Sequence, residues 1–99
     1  MKHVIRGDTL KVWLEGELDH HTAGALREEL ETQLTNPRIR NLILNLKNLS
    51  FMDSSGIGVV LGRYKTLSKR GGSVIVEEPC KHVDRIFSMS GLYQIIEKR

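Results

Sequence analysis

Apolar and polar residues alternate along this chain with two different periods. Leu10, Val12 and Leu14 interleave with Lys11, Trp13 and Glu15, the period-two pattern of a half-buried strand. Met1 to Arg6 can supply a partner strand, and Gly7-Asp8 between them is a turn signal. Over residues 21–35 the period lengthens. Ala23, Leu26, Leu30 and Leu34 share one helical face, with Arg27, Glu28 and Glu31 elsewhere. Asn36-Pro37 ends that helix, because proline disfavours helical conformation in the residue before it. Arg38 to Asn41 reads as a connector.

Leu42, Ile43, Leu44 and Leu46 form a near-continuous apolar run, which suits a strand covered on both faces. A second helix is predicted from near Ser54, with Ile57, Val60, Leu61, Tyr64 and Leu67 at helical spacing. Gly58 and Gly62 lie four apart on a different face. That spacing suggests close approach by another backbone, or simply helix–sheet packing. Gly71-Gly72 marks the exit turn, Ser73 to Val76 a short strand, and Pro79 the start of a third helix with an apolar patch of Val83, Ile86 and Phe87. Ser90-Gly91 stops it, and Tyr93 to Ile96 is expected to add a last short strand or turn.

The order β-β-α-β-α-β-α predicts an α/β fold. The opening hairpin contributes an antiparallel part. The later strands, each followed by a helix, call for right-handed crossovers and a parallel part. We expect a mixed β-sheet with helices packed mainly on one side, in a single domain spanning residues 1–99.

Composition narrows the class. The chain has 99 residues, 39% hydrophobic and 27% charged, the balance of an ordinary soluble globular domain. No apolar run is long enough to suggest a membrane span, and Met1 to Arg6 lacks the apolar core of a signal peptide, so a cytoplasmic protein is expected. The single cysteine, Cys80, excludes an internal disulfide and reads as a small residue at a helix start. The net charge of +3 is spread in small groups without an aromatic-laced basic stripe, so no direct nucleic-acid binding is expected. No Cys/His cluster holds a metal, and no Walker or dinucleotide glycine pattern is complete, so no cofactor is expected.

Asp53-Ser54-Ser55-Gly56 is the most informative stretch. It stands where a strand hands over to a helix N-terminus, whose unpaired N–H groups and partial positive charge tolerate an anion. Two readings follow. Asp and Ser are ordinary helix caps, and a hydroxyl placed there can also accept a phosphoryl group without disrupting the fold. An enzyme reading takes Ser54 as nucleophile, with His20 or His21 and Asp19 as partners, but the G-x-S-x-G elbow is absent. Asp19 is a fair helix cap like Asp53, and His3 and His82 read as isolated surface residues.

The segments GELDHHTA (16–23), LSFMDSSGIGVVLGRYK (49–65) and FSMSGL (87–92) closely resemble the anti-sigma factor antagonists of the STAS fold, their sporulation members above all. The resemblance covers nearly the whole chain in matching order. It implies a regulator rather than an enzyme. Such proteins bind a nucleotide-bound anti-sigma factor that is also a serine kinase, and so release the sigma factor. Phosphorylation of one serine ends the binding, and a PP2C-type phosphatase restores it. The resemblance places the phosphoacceptor at Ser54, in a loop with Asp53, Ser55 and Gly56. It implies a partner surface around the start of the second helix, with Ile57 and Gly58, and the neighbouring loop residues Glu17, Asp19 and His20. Gly56 and Gly58 are expected to admit the partner closely. A monomer is expected.

Two features depart from the family pattern. The chain ends soon after Ile96, where members generally carry a further C-terminal segment, and Glu77-Glu-Pro-Cys80 differs from the sporulation members. A stress-response antagonist, a STAS module without phosphorylation and a small serine hydrolase are the alternatives.

Overall fold

The computed structural model describes residues 1–99. Strand β1 (Lys2–Arg6) turns at Gly7-Asp8 into β2 (Thr9–Leu18). Gly7 takes a left-handed φ of 60°, which a side chain would oppose. Helix α1 (Ala23–Gln33), β3 (Asn41–Met52), α2 (Ser54–Ser68), β4 (Ser73–Glu77) and α3 (Lys81–Met89) follow. A 3-10 turn (Leu92–Gln94) and a two-residue β5 (Glu97–Lys98) close the chain. The five strands lie in the order β1-β2-β3-β4-β5, with β1–β2 antiparallel and all other pairs parallel.

Register explains why one sheet face is covered. Leu10, Leu42 and Val74 pair across β2, β3 and β4, as do Val12, Leu44 and Val76, and all six are buried. The helices cover this face, where Leu30, Val60, Leu67, Val83 and Phe87 join the same core. The opposite face carries the intervening row. Lys11 and Ile43 are half-buried there, Lys11 Nζ pairs with Glu77 at 2.6 Å, and Asn45 donates to the carboxylates of Glu77 and Glu78.

Two expectations need correction. Residues 38–41 are more than a connector: Ile39 is fully buried, Asn41 begins β3, and Arg70 of the α2 exit donates to the carbonyls of Leu34 and Ile39 at 2.6 and 2.9 Å. Strand β3 does not stop at Leu46 but runs to Met52, with Leu49 and Met52 buried on one side. Of the strand or turn expected over Tyr93 to Ile96, the structure shows the turn, a 3-10 turn at residues 92–94, and the last strand follows at Glu97–Lys98.

Candidate functional site

Parallel strands β2 and β3 end side by side, with Leu18 opposite Met52. Each hands over directly to a helix, so the β2–α1 and β3–α2 junctions meet at one edge of the sheet, outside the carboxyl ends of its parallel strands. The Asp53 N–H donates to the Leu18 carbonyl at 3.2 Å and fastens the two junctions together.

Helix α2 starts because Asp53 caps it. Asp53 is extended (φ −120°, ψ −170°), and its Oδ1 accepts from the Ser55 N–H at 2.8 Å. Its carbonyl accepts from Gly56 and Ile57. A side-chain cap of this kind contributes about 1 kcal/mol. Ser54 is therefore the first helical residue, exposed, with its hydroxyl free of any hydrogen bond within the chain. Ser55 is half-buried.

Gly56 lies inside rather than at the surface. A Cβ there would stand 2.6 Å from Met52 Cγ and 2.9 Å from Leu18 Cγ. It belongs to the first turn of α2, packed on the ends of β2 and β3, so a partner cannot lie against it as the sequence suggested. Gly58 is exposed and Ile57 half-buried. No backbone approaches Gly58 or Gly62 within the fold, since a Cβ at either would meet nothing within 4 Å.

The β2–α1 junction supplies Glu17, Asp19 and His20. Asp19 is the effective cap of α1: its Oδ1 accepts from His21 N–H (2.9 Å) and Thr22 N–H (3.1 Å), and its carbonyl accepts from Ala23 N–H (2.8 Å). Desolvation works to raise the Asp19 pKa, but the His21 and Thr22 donors outweigh it and hold the carboxyl below the usual range. The Thr22 hydroxyl donates to the Glu17 carbonyl at 2.9 Å, which ties the loop shut and leaves the Glu17 side chain exposed. His20 Nδ1 stands 4.0 Å from Asp53 Oδ2, an ion pair when the imidazole is protonated. No hydrogen bond links Ser54 to either histidine, so the nucleophile–base pair of the hydrolase reading is not assembled.

Sequence reasoning missed three participants. Thr22 gave a signal, standing three residues after Asp19 in the pattern of mutual capping. Arg63 gave none, because its burial comes from α1 lying across it. Phe51, 37% exposed, stacks on His82 with ring centroids 5.2 Å apart, joining α3 to the β3 end of this edge.

This fold is that of a known class. The STAS domain family model matches residues 1–99. An anti-sigma F factor antagonist of Paenibacillus polymyxa is 45% identical over 87 residues, 88% of this chain and 74% of that protein. An anti-sigma-B factor antagonist of Bacillus subtilis (strain 168) is 36% identical over 88 residues, 89% of this chain and 79% of that one. The solved structure of the anti-sigma factor antagonist SpoIIAA in its unphosphorylated form superposes with a TM-score of 0.87 at 34% identity, covering 99% of this chain and 86% of that one. Its phosphorylated form gives 0.78 at 33% identity, covering 99% and 89%. The chain belongs to the STAS domain family and, within it, to the anti-sigma factor antagonists of the F or B type. Proteins of this class are regulators, not enzymes.

Proposed function

We propose that this chain is a phosphorylation-switched antagonist. Unphosphorylated, it binds a nucleotide-bound anti-sigma factor that is also a serine kinase, and so frees the sigma factor. Phosphorylation of Ser54 ends the binding, and a PP2C-type phosphatase restores it. It works as a monomer in the cytoplasm and regulates sporulation transcription. The higher identity to the F-type relative favours sporulation over the stress response.

One observation carries this reading. The Ser54 hydroxyl stands exposed at the N-terminus of α2, while the capping task is done by Asp53 on Ser55. A phosphate there adds about −1.5 to −2 charges at pH 7. The helix N-terminus favours that charge, so the fold persists. On a contact surface the same charge brings bulk and a desolvation penalty, so the interface does not persist. Glu17, Asp19, His20, Ile57 and Gly58 border the serine at the same edge and form the proposed contact surface.

The test is intact-mass spectrometry after incubation with the anti-sigma kinase and ATP. One added phosphate on the wild type and none on Ser54→Ala is the expected result. A phosphate that persists in Ser54→Ala moves the acceptor, with Ser55 the next residue to replace. No phosphate on the wild type rejects the switch.

A further inference from the structure

Helix α2 contains two glycines that the fold does not use. Glycine weakens a helix relative to alanine. Gly58 and Gly62 have no positive φ, and a Cβ at either would meet open space. Gly24 of α1 is in the same position. Gly24 and Gly58 line one cleft of about 350 Å³ between the first turns of α1 and α2, floored by Ala23 and Val59. Ser55 and Arg27 complete its lining, so the cleft begins beside the phosphoacceptor. Gly62 continues the Gly58 face one turn further.

Small residues show only that there is room. The charge in the same α1–α2 seam shows what fits it. Arg63 is 7% exposed, and its Nη2 lies 3.3 Å from Glu31 Oε1 of α1. Its Nε and Nη1 are buried with no partner in the chain. Arg27 Nε stands 4.0 Å from the same Glu31 oxygen, and its side chain is 57% exposed. Two guanidiniums therefore share one carboxylate. Buried Arg63 has the stronger claim on it, because an unpaired charge is penalised most where water is excluded. Arg27 is left at the cleft with its fork of donors largely free for a second carboxylate.

We propose that a segment of the anti-sigma partner lies along this cleft, its backbone close against Gly24, Gly58 and Gly62, with an Asp or Glu side chain on Arg27. The inference rests on the partner reading above. It adds a second anchoring point to the Ser54 edge and assigns the chemistry of the partner's segment. A partner backbone fits better than a small anion, because the glycines leave room for main chain and the Ala23–Val59 floor is apolar.

The test measures binding of the nucleotide-bound anti-sigma kinase by titration calorimetry, with thermal midpoints recorded alongside. Gly58→Ala and Gly62→Ala are expected to raise the midpoint and yet weaken binding tenfold or more. Arg27→Glu is expected to weaken it similarly, while Lys69→Glu at the far end of α2 reports the effect of general charge. Equal affinity in all three cleft variants, with wild type and Ser54→Ala both binding, overturns the cleft and leaves the switch standing. Failure of the wild type itself to bind overturns the partner reading first. An Arg27→Glu effect no larger than that of Lys69→Glu overturns the carboxylate contact. Sedimentation that shows wild-type dimers dissolved by the same variants identifies a second copy of this chain as the occupant and overturns the proposal.

Discussion

The two strand-to-helix junctions are built from the same parts and left in different states. Both begin with an aspartate, at the ends of adjacent parallel strands. At the β2–α1 junction, Asp19 takes two backbone N–H groups, and the Thr22 hydroxyl is spent on the Glu17 carbonyl. Every short polar side chain there is engaged. At the β3–α2 junction, Asp53 takes one N–H, and the Ser54 hydroxyl is engaged with nothing. The first junction is closed by its own bonds. The second is held by one side-chain bond fewer and keeps a hydroxyl in reserve at a positively polarised helix end. A cap and a free hydroxyl are thus compatible in adjacent residues, provided that the cap is the residue before.

Packing beneath the junctions gives the largest expected contrast. Gly56→Val should drive a side chain into Met52 and Leu18, at a cost of about 1–3 kcal/mol. That corresponds to a fall of about 4–8 °C in thermal midpoint per kcal/mol for a domain of this size. Gly24→Ala at the first junction meets no neighbour and should hold or raise the midpoint. Equal losses in the two variants would remove the packing difference.

Removal of the caps comes next. Asp19→Ala should lose more stability than Asp53→Ala, because two N–H groups lose their acceptor together. Asp53→Ala should lose about 1 kcal/mol. Chemical denaturation of both variants measures the difference, and a larger loss at Asp53 would reverse the comparison. Asp53→Asn keeps an acceptor for Ser55 and should change stability by less than about 0.5 kcal/mol. It should nonetheless slow phosphorylation of Ser54, and an unchanged rate would confine Asp53 to capping.

The smallest effect is in pH. The Asp19 carboxyl is held below its unfolded value, so its contribution is complete above about pH 4 and is lost as pH falls through the folded pKa. Asp19→Asn should therefore lose less stability than the wild type between pH 5 and pH 2. Parallel acid curves for the two proteins would contradict this.

The site was legible where its chemistry is local. Capping needs only a short polar side chain within three residues of the N–H groups it serves. Asp53, Ser54 and Asp19 could therefore be placed at helix starts from the sequence alone. Legibility ended where a residue's surroundings come from elsewhere in the chain. Ile39 looked like part of a connector because its burial depends on α1, β3 and Arg70 closing over it. Gly56 and Gly58 looked alike, yet one is packed on Leu18 and Met52 and the other faces a cleft. Arg63 carried no local signal of burial, because that burial comes from α1 lying across it.

The hydrophobic periods, the turns at Gly7-Asp8 and Gly91, the cap before α2 and the family motif around Ser54 all follow from the order of the amino acids. Each depends on neighbours a few residues apart, whose geometry the backbone sets directly. That the two junctions share an edge, that His20 stands beside Asp53, and that Arg27 and Arg63 meet over Glu31 became visible in the folded chain alone. Those contacts join residues brought together by parallel strand pairing. Pairing of that kind is set by the register of whole strands, which no local pattern specifies.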